Sequence, residues 1–315
     1  MVKLKCRMFE ESKKSTASEN IIITLLIFFF MFVLIQLAES IIPSIMSYDE
    51  LQLRIAAEGT AAIKRSMEIA TEIMMQEKYL IPTLFCTFFG TLISIIYCRF
   101  IEARYITSMG MRKKKAGIHY LQGLLIGFVL ISSLTLLSAL FGITEINLCK
   151  SSNLSIIALM LGGFLIQGMS EEFIFRGYLM NTLGGRHNPW TAVIVSSAAF
   201  SLAHILNPGF SFLVFINLTL FGIFAGLYMI AFDDIWGACA IHSIWNFTQG
   251  SIYGISVSGT GENESIFRTT AVSSSVLLTG GDFGIEGSII TTIILAAACI
   301  PVLMKIKKQT SAENI

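Results

Sequence analysis

Long apolar runs alternate with short polar segments along most of this chain. The hydrocarbon core of a membrane is about 30 Å thick, so a helix needs about 20 residues to cross it. Because a backbone in lipid must satisfy its hydrogen bonds internally, we expect apolar runs of this length to be helices. Eight runs come close to it: 20–38, 79–97, 117–141, 154–180, 189–205, 210–232, 235–253 and 288–304. The pattern predicts an all-α fold, a polytopic membrane helix bundle of about eight transmembrane helices in contact with a lipid bilayer.

The composition also favours a membrane protein. Apolar residues make up 54% of the 315 residues and charged residues only 14%, whereas soluble proteins carry about 25% charged residues. A soluble domain of this length could not hide so much apolar surface, and a disordered chain would contain far less of it. The net charge of +1 gives no basic excess for nucleic acid binding, and the six cysteines form no CxxC pair.

The spacing of the runs divides the chain into three regions. Residues 1–153 form an N-terminal membrane region with three spans, in which the charged segment 39–78 is expected to lie outside the bilayer as a partly amphipathic helix. Residues 154–287 hold most of the polar residues found within apolar runs, and they end in a long loop rich in Gly, Ser and Thr, 254–286. Residues 288–315 comprise the last span and a basic tail.

The distribution of Lys and Arg predicts the orientation of the bundle. With alternating spans, fifteen Lys and Arg residues fall on one side of the membrane and six on the other. Because positively charged loops remain in the cytoplasm, we expect a multi-pass protein of the cell membrane with both termini cytoplasmic. The first run is expected to be retained as a span, and a cleaved signal peptide is the alternative.

The fourth run contains charged residues, whereas the apolar centres of most other runs contain none. A charged side chain within a span costs at least about 2.5–3.5 kcal/mol, so such residues are rare and usually functional. Glu172 and Arg176 are four residues apart and share a helical face, while Glu171 points about 100° away from Glu172. We expect Arg176 to neutralise Glu172 and leave Glu171 for chemistry. The alternative is a structural glutamate pair wetted at the membrane interface.

Two further runs place polar residues one helical turn apart. Phe200 and His204 share one face of the fifth run, and His242 and Asn246 share one face of the seventh. A lone histidine on an apolar helix is usually a hydrogen-bonded core residue. Two histidines, an asparagine and an acidic pair on spans that can adjoin favour a shared site instead.

This polar set allows two chemistries. In the first, Glu171 with His204 draws a proton from water that attacks a carbonyl carbon, and His242 and Asn246 donate hydrogen bonds to the resulting oxyanion. In the second, Glu171, His204 and His242 hold a divalent metal ion with one open position, as in zinc hydrolases. The sequence contains no HExxH pattern, which is the usual helical signature of the zinc chemistry.

Other reactive side chains receive weaker support. Ser170 and Cys239 lie near the polar set in sequence, but no GxSxG nucleophile elbow occurs and neither residue is preferred. His119 and His187 lie at predicted membrane ends, and we expect both to be interfacial.

Three motifs occur in order on separate runs: Glu171-Glu172-x-x-x-Arg176, Phe200-x-x-x-His204 and His242-x-x-x-Asn246. This ordered set resembles the CPBP intramembrane proteases, also described as the CAAX-processing and bacteriocin-processing, or Abi, family. The segment 278–287 is similar to the tail of bacterial members, so the likeness extends over about 154–287 and makes this region the catalytic core.

The resemblance implies an intramembrane endopeptidase that hydrolyses a peptide bond of a membrane-associated protein or peptide. Four residues would be catalytic, with Glu171 activating the water, His204 assisting it and the other two lining the oxyanion site: Glu171, His204, His242 and Asn246. Three residues would support them: Glu172, Arg176 and Phe200. We expect no cofactor, because Asn246 is a poor zinc ligand but a good hydrogen-bond donor, and zinc is the alternative.

One geometric difficulty and two other functions are also considered. Glu171 lies on the cytoplasmic side of the middle of its run and His204 near the outer end of a short run, so their depths could differ by roughly 10–15 Å. A transporter or channel would often show inverted repeats or broken helices, and neither is found. A non-catalytic bacteriocin-immunity or membrane binding protein could keep all the same residues and is the main alternative.

Overall fold

The computed structural model describes residues 4, 6–16, 18–58 and 60–312, and it is mostly helical. The α-helices are α1 (Arg7–Ser12), α2 (Ile21–Glu58), α3 (Thr60–Met74), α4 (Glu77–Cys86), α5 (Phe88–Ile96), α6 (Ala116–Leu140), α7 (Leu154–Glu172), α8 (Asn181–Arg186), α9 (Pro189–Leu202), α10 (Phe212–Phe232), α11 (Trp236–Phe247), α12 (Val276–Thr279) and α13 (Ile289–Ala312). Three π-helical segments continue α5, α7 and α11, respectively: Tyr97–Ile101, Phe173–Met180 and Thr248–Ile252. Three short 3-10 turns are Ile106–Met109, Gly281–Phe283 and Ile285–Gly287. Two strands are β1 (Thr144–Leu148) and β2 (Phe267–Ala271).

Six helices in the described part of the chain are long and apolar enough to cross a membrane. They are Ile21–Ala57, Glu77–Ile101, Ala116–Leu140, Leu154–Arg186, Phe212–Phe232 and Ile289–Ser311. The other two of the eight predicted runs also form helices, but shorter ones, because α9 has 14 residues and α11 has 12 before its π-helical continuation. The predicted all-α membrane bundle is confirmed, with six long helices and two short ones in place of eight similar spans.

The helix formed by the first predicted run, α2, is longer than the sequence predicts. α2 runs without interruption through Glu39 and Pro43 for 38 residues, so the first half of the segment 39–78 continues the first span instead of leaving it. Glu39 is only 9% exposed, whereas Leu34 and Ile45 on either side of it are 61% and 71% exposed. The helix therefore turns its single mid-helix acid inward and its apolar side chains outward, as a lipid-facing helix does. The second half of the segment forms the predicted helix as α3.

The helix formed by the fourth predicted run is also longer than predicted. α7, the π-helical segment Phe173–Met180 and α8 form one continuous helix of 33 residues, Leu154–Arg186, which is about 50 Å long at 1.5 Å per residue. Glu171 consequently lies near the midpoint of its helix. α9 ends at Leu202, so His204 lies just beyond the end of its helix.

A two-stranded antiparallel sheet orders part of the loop 254–286, where the sequence predicts only a loop. β2 lies in this loop and pairs antiparallel with β1, which precedes α7, with Thr144 opposite Ala271. More than a hundred residues separate the two strands, so the pairing ties the loop to the segment between α6 and α7.

A buried carboxylate holds the end of the same loop. Glu286 is 6% exposed, and its Oε1 accepts a hydrogen bond from Trp245 Nε1 at 3.2 Å. Its Oε2 accepts from Gln249 Nε2 at 3.2 Å and from the backbone nitrogen and Oγ of Ser258 at 2.8 and 3.0 Å. Glu286 thus fastens the loop to α11 and its π-helical continuation.

The core of the bundle is built around α10. Two-thirds of its most apolar window is buried, compared with 22% for the first long helix, and it packs against α9, α11 and α13. Because α2 and α13 expose most of their apolar surface, they form the outside of the bundle, and α7, α9, α10 and α11 enclose the polar residues.

Segments predicted to share one side of the membrane meet at one end of the bundle, termed the α1 end. Arg104 Nη1 donates to Ser12 Oγ at 2.7 Å, and Arg186 Nη2 donates to the carbonyl oxygen of Ser15 at 2.9 Å. These contacts join the N-terminal helix to the segments after the second and fourth spans. The placement of the α1 end in the cytoplasm stays a prediction. Two lysines of the charge count lie outside the described residues: Lys3 and Lys5.

Candidate active site

The acidic pair lies where α7 changes into its π-helical continuation. Glu172 is the last α-helical residue, and Arg176 follows it by four residues. Both side chains are fully buried, and Arg176 Nη1 donates to Glu172 Oε1 at 3.0 Å, so the predicted ion pair is present. Glu171 points to a different wall, where its side chain is 22% exposed. π-helical segments often occur at functional sites, and this one begins directly after the two carboxylates.

His242 of α11 lies between the two carboxylates. Its Nδ1 is 2.8 Å from Glu172 Oε1, and its Nε2 is 3.6 Å from Glu171 Oε2. An ionised carboxylate only accepts hydrogen bonds, so Nδ1 donates to Glu172 and this contact fixes the orientation of the ring. The gap of 3.6 Å is too long for a direct hydrogen bond, and a water molecule can bridge a separation of this kind.

A glycine on α7 permits this contact. A Cβ atom on Gly168 would come within 2.6 Å of the backbone nitrogen of Ser243 and 2.7 Å of its Cα atom. Because backbone atoms cannot move aside as a flexible side chain can, the close approach of α7 and α11 requires glycine at this position. His242 precedes Ser243 in the chain, so the same approach brings its ring to the acidic pair.

An amide residue that sequence reasoning missed connects Asn246 to the acidic pair. Gln167 Oε1 accepts from Asn246 Nδ2 at 2.9 Å, and Gln167 Nε2 donates to Glu171 Oε1 at 2.5 Å. The available signal was a polar residue one helical turn before Glu171 in an apolar run. Gln167 occupies one oxygen of Glu171 and leaves the other, Oε2, directed toward His242.

Phe200 connects His204 to the buried cluster. The Cζ atom of Arg176 lies 4.6 Å from the centroid of the Phe200 ring, and the rings of His204 and His242 contact it with centroid distances of 5.0 and 5.7 Å. His204 Nδ1 is 2.9 Å from the carbonyl oxygen of Phe200. Since a carbonyl oxygen only accepts, Nδ1 donates and Nε2 of His204 is left as an acceptor.

Several buried polar atoms of the cluster have no hydrogen-bond partner in the described part of the chain. They are Glu171 Oε2, Glu172 Oε2, Arg176 Nε and Arg176 Nη2. Buried polar atoms nearly always bond to protein, water or a ligand. Among these atoms, Glu171 Oε2 faces His242 Nε2 at 3.6 Å.

A comparison with protein families assigns this region. Residues 153–248 match the family model described as Rce1-like, type II CAAX prenyl endopeptidase, and all three sequence motifs fall inside the match. This region is similar to the type II CAAX prenyl endopeptidases that the family model describes. The match covers less than a third of the chain and ends before the loop 254–286. No curated protein and no solved structure matches the chain.

Among the predicted catalytic residues, His204 is connected to His242 through the ring of Phe200. It forms no ion pair among the described residues, whereas His242 faces both Glu171 and Glu172. The direct neighbour of Glu171 is therefore His242. The predicted assistance of Glu171 by His204 would require a water molecule or a substrate between them.

The first long helix adds a third carboxylate to the wall of the candidate site. Glu39 Oε2 accepts from Gln36 Nε2 at 3.1 Å. A Cβ atom on Gly90 would come within 2.8 Å of Glu39 Oε1 and 2.4 Å of Ser170 Oγ, so both side chains pack against this glycine. Glu39 is close enough to Glu171 for the two carboxylates to interact electrostatically. The signal in the sequence was a single acid between two apolar stretches, which the prediction took as the end of the span.

The arrangement does not form a three-ligand metal site. Among the residues that the structure describes, no group of three or more His, Cys, Asp or Glu side chains is placed to share a metal ion. Glu171 and His242 are close, but His204 does not complete the set proposed for zinc. The absence of a cofactor, with zinc as the alternative, stays a prediction.

The other reactive residues lie outside the Glu171–His242 contact. His119 Nδ1 bonds to the carboxylate of Asp234 at the α1 end, where burial raises the pKa of Asp234 and the contact with His119 only partly offsets this effect. Cys239 is fully buried in α11. His187 follows α8 directly and is partly buried. None of these residues forms a hydrogen bond or an ion pair with Glu171 or Glu172 among the described contacts.

Proposed function

We propose that the chain is an intramembrane endopeptidase in which Glu171 activates the water that hydrolyses a peptide bond. The single observation that carries this proposal is the pairing of Glu171 Oε2, which has no hydrogen-bond partner, with His242 Nε2 at 3.6 Å within the region of the family match. The description of the family names a CAAX prenyl endopeptidase. For this chain we propose the broader substrate class of a membrane-associated protein or peptide.

The hydrolytic step starts from a water molecule bound to Glu171 Oε2. Gln167 holds the other oxygen of Glu171, so the carboxylate keeps a fixed orientation as it takes a proton from the water. The water oxygen forms a bond to the carbonyl carbon and produces a tetrahedral oxyanion. Glu171 then delivers the proton to the amide nitrogen as the carbon–nitrogen bond breaks, which releases a carboxylic acid and an amine.

His242 and Asn246 are proposed to stabilise the oxyanion. Glu171, Glu172 and Arg176 together carry one net negative charge, so a proton on His242 makes the cluster neutral and gives its Nε2 a hydrogen to donate. Asn246 Nδ2 uses one hydrogen on Gln167 and has a second to offer. Glu172 orients His242, and Arg176 compensates the charge of Glu172. His204, with Nε2 as an acceptor, is proposed to assist in proton transfer.

The test replaces Glu171 by glutamine in the full chain. We expect Glu171→Gln to lower the cleavage rate by at least about a hundredfold, since general base catalysis contributes about 10²–10⁴-fold. Substrates are found by comparing membrane and secreted peptides, by mass spectrometry, from cells with the wild-type chain and the variant. The matched control is Glu145→Gln, the same change on the exposed face of β1.

The alternative function is non-catalytic binding, as in an immunity protein. If Glu171→Gln reaches the same abundance as the wild type and leaves both the peptide profile and the phenotype unchanged, the peptidase proposal is wrong. Loss of cleavage in Glu171→Gln, with normal cleavage in Glu145→Gln, supports it.

A further inference from the structure

A large basic pocket lies at the α1 end of the bundle, away from the candidate active site. Its volume is about 850 Å³. Six of the side chains that line it are cationic, and they come from the start of α1, the segment before α6 and the end of α13: Arg7, Arg112, Lys113, Lys114, Lys115 and Lys305. None of the proposed catalytic residues lines this pocket, so the inference drawn from it does not depend on the peptidase proposal.

The acids of this pocket are already engaged. Asp233 accepts from the backbone nitrogens of Arg7 and Met8 at 3.0 and 3.3 Å and pairs with Arg112 Nε at 3.3 Å. Asp234 bonds to His119. These contacts compensate Arg112, whose Nη2 also lies 3.0 Å from Glu11 Oε1, but they do not reach the lysines.

The lysines keep their positive charge exposed. Lys113, Lys114, Lys115 and Lys305 form no ion pair in the described part of the chain, and all four are exposed. Lys115 also precedes α6, whose first turn has no side-chain cap, so the positive end of that helix adds to the field in the pocket. The pocket therefore has a surplus of cationic groups, although the whole chain is nearly neutral.

An apolar groove leads away from the same pocket. It has a volume of about 310 Å³ and runs between α6, α10 and α13, with Leu130, Phe224 and Ala298 among the lining residues. Phe232 and Lys305 line both the groove and the basic pocket, and Lys305 Nζ lies 4.4 Å from the centroid of the Phe232 ring. The two cavities thus form one continuous surface that is cationic at the α1 end and apolar along the helices.

We infer that this surface binds a phospholipid with an anionic headgroup, with the phosphate in the basic pocket and an acyl chain in the groove. The charge of the pocket complements a phosphate, and a basic pocket between membrane helices is a known kind of site for anionic headgroups. Lysines at the end of a membrane helix can also serve only to orient the protein in the membrane. That role does not explain why an apolar groove begins at Lys305. The groove is the feature that selects a lipid over a soluble anion.

The test measures lipid binding to the purified full chain in detergent by native mass spectrometry and by titration with a fluorescent phosphatidylglycerol. We expect phosphatidylglycerol to bind at least tenfold more tightly than phosphatidylcholine. The variant Lys113→Gln/Lys114→Gln/Lys115→Gln should weaken phosphatidylglycerol binding at least tenfold. A matched control removes three charges from exposed positions that do not line the pocket: Arg99→Gln/Lys307→Gln/Lys308→Gln.

A second variant tests the groove. Ala298→Phe places a ring in it and should weaken phosphatidylglycerol binding at least fivefold while leaving the binding of soluble glycerol 3-phosphate unchanged. Thermal unfolding of each variant confirms that it is folded, and the salt dependence of phosphatidylglycerol binding to the wild type gives a measurement that needs no variant.

Three results would overturn the inference. Equal binding of the two lipids by the wild type removes the charge selectivity. An equal loss in the lysine variant and in the control variant shows a general surface effect instead of a pocket. Glycerol 3-phosphate that binds as tightly as phosphatidylglycerol, with no effect of Ala298→Phe on either ligand, shows that the occupant is a soluble anion and not a lipid.

Discussion

Glu171 and Glu172 are adjacent in the chain, yet their surroundings give them different tasks. Glu172 is fully buried against Arg176 and His242, and removing one member of a buried ion pair leaves the other charge uncompensated. Glu171 is partly exposed and has one oxygen without a partner. The two residues should therefore respond differently to the same substitution.

We expect Glu172→Gln to destabilise the fold by about 3–5 kcal/mol, because Arg176 then carries an unpaired charge in the core. Glu171→Gln should change the unfolding temperature by only a few degrees. Thermal unfolding of the three proteins in the same detergent measures the difference. A similar small shift for both variants would mean that Arg176 finds another partner, and the division of roles between the two glutamates would be wrong.

At the scale of helices, the site depends on how closely α7 and α11 approach. The Cβ atom of an alanine at Gly168 would lie 2.6 Å from a backbone nitrogen of α11, whereas nothing lies within 4 Å of a Cβ atom at Gly117, an exposed glycine of α6. Alanine is the better helix former by about 1 kcal/mol, so any loss at position 168 comes from the helix contact.

We expect Gly168→Ala to push α11 away from α7 and to lower cleavage at least tenfold, since His242 moves with α11. Gly117→Ala should leave cleavage unchanged. Both variants are assayed by mass spectrometry on the same substrate at equal protein abundance. Normal cleavage by Gly168→Ala would show that the distance between His242 and Glu171 does not control the reaction.

The order of the loop 254–286 depends on the hydrogen bonds of one buried side chain, Glu286. Glu286 accepts four hydrogen bonds, three of them at Oε2, and Gly280 and Gly284 adopt positive φ angles of 86° and 96°. A Cβ atom on Gly280 would lie 1.8 Å from the carbonyl oxygen of Gly284. The glycines of the segment 278–287 therefore allow a backbone path that brings Glu286 inward.

We expect Glu286→Gln to destabilise the protein by about 2–3 kcal/mol. One of the two oxygens that accept hydrogen bonds is replaced by an NH₂ group, which would face hydrogen-bond donors. Hydrogen exchange should rise in the loop 254–286 and stay unchanged in α6. Glu145→Gln, on the exposed face of β1, serves as the control. Unchanged hydrogen exchange in the loop would show that the pairing of β1 with β2 alone keeps the loop ordered.

At the scale of the whole molecule, the sequence predicts what depends on local hydropathy and misses what depends on tertiary contacts. The runs of apolar residues locate the helices, and the spacing of Glu172 and Arg176 predicts their ion pair. Glu39 is missed because a single acid in an apolar pattern looks like a span boundary until a neighbouring helix buries it. Gln167 is missed because a single uncharged amide does not by itself indicate chemistry, and its role depends on a partner from α11.

The pairing of β1 with β2 and the contact of Glu171 with His242 are missed for a related reason. β1 and β2 are far apart in sequence, so no local pattern indicates their pairing. The ordered motifs favour a shared site for His204 and His242, but only the packing of α11 on α7 shows that His242 is the histidine beside Glu171. The sequence thus predicts the members of the candidate site better than their order of contact.

The metal requirement is a property of the whole site, and we expect the purified protein to cleave its substrate without a bound metal ion. His204 contacts the ring of Phe200, and in the described part of the chain no group of three His, Cys, Asp or Glu side chains is placed to share a metal ion as zinc ligands do. Activity should survive dialysis against a chelator, and elemental analysis should find no zinc in proportion to protein. His204→Ala distinguishes the two mechanisms further, because it should slow cleavage without changing the metal content. Zinc bound one to one in the wild type and lost from His204→Ala would show that the helices rearrange around a metal ion, and the water activated by Glu171 alone would then be the wrong nucleophile.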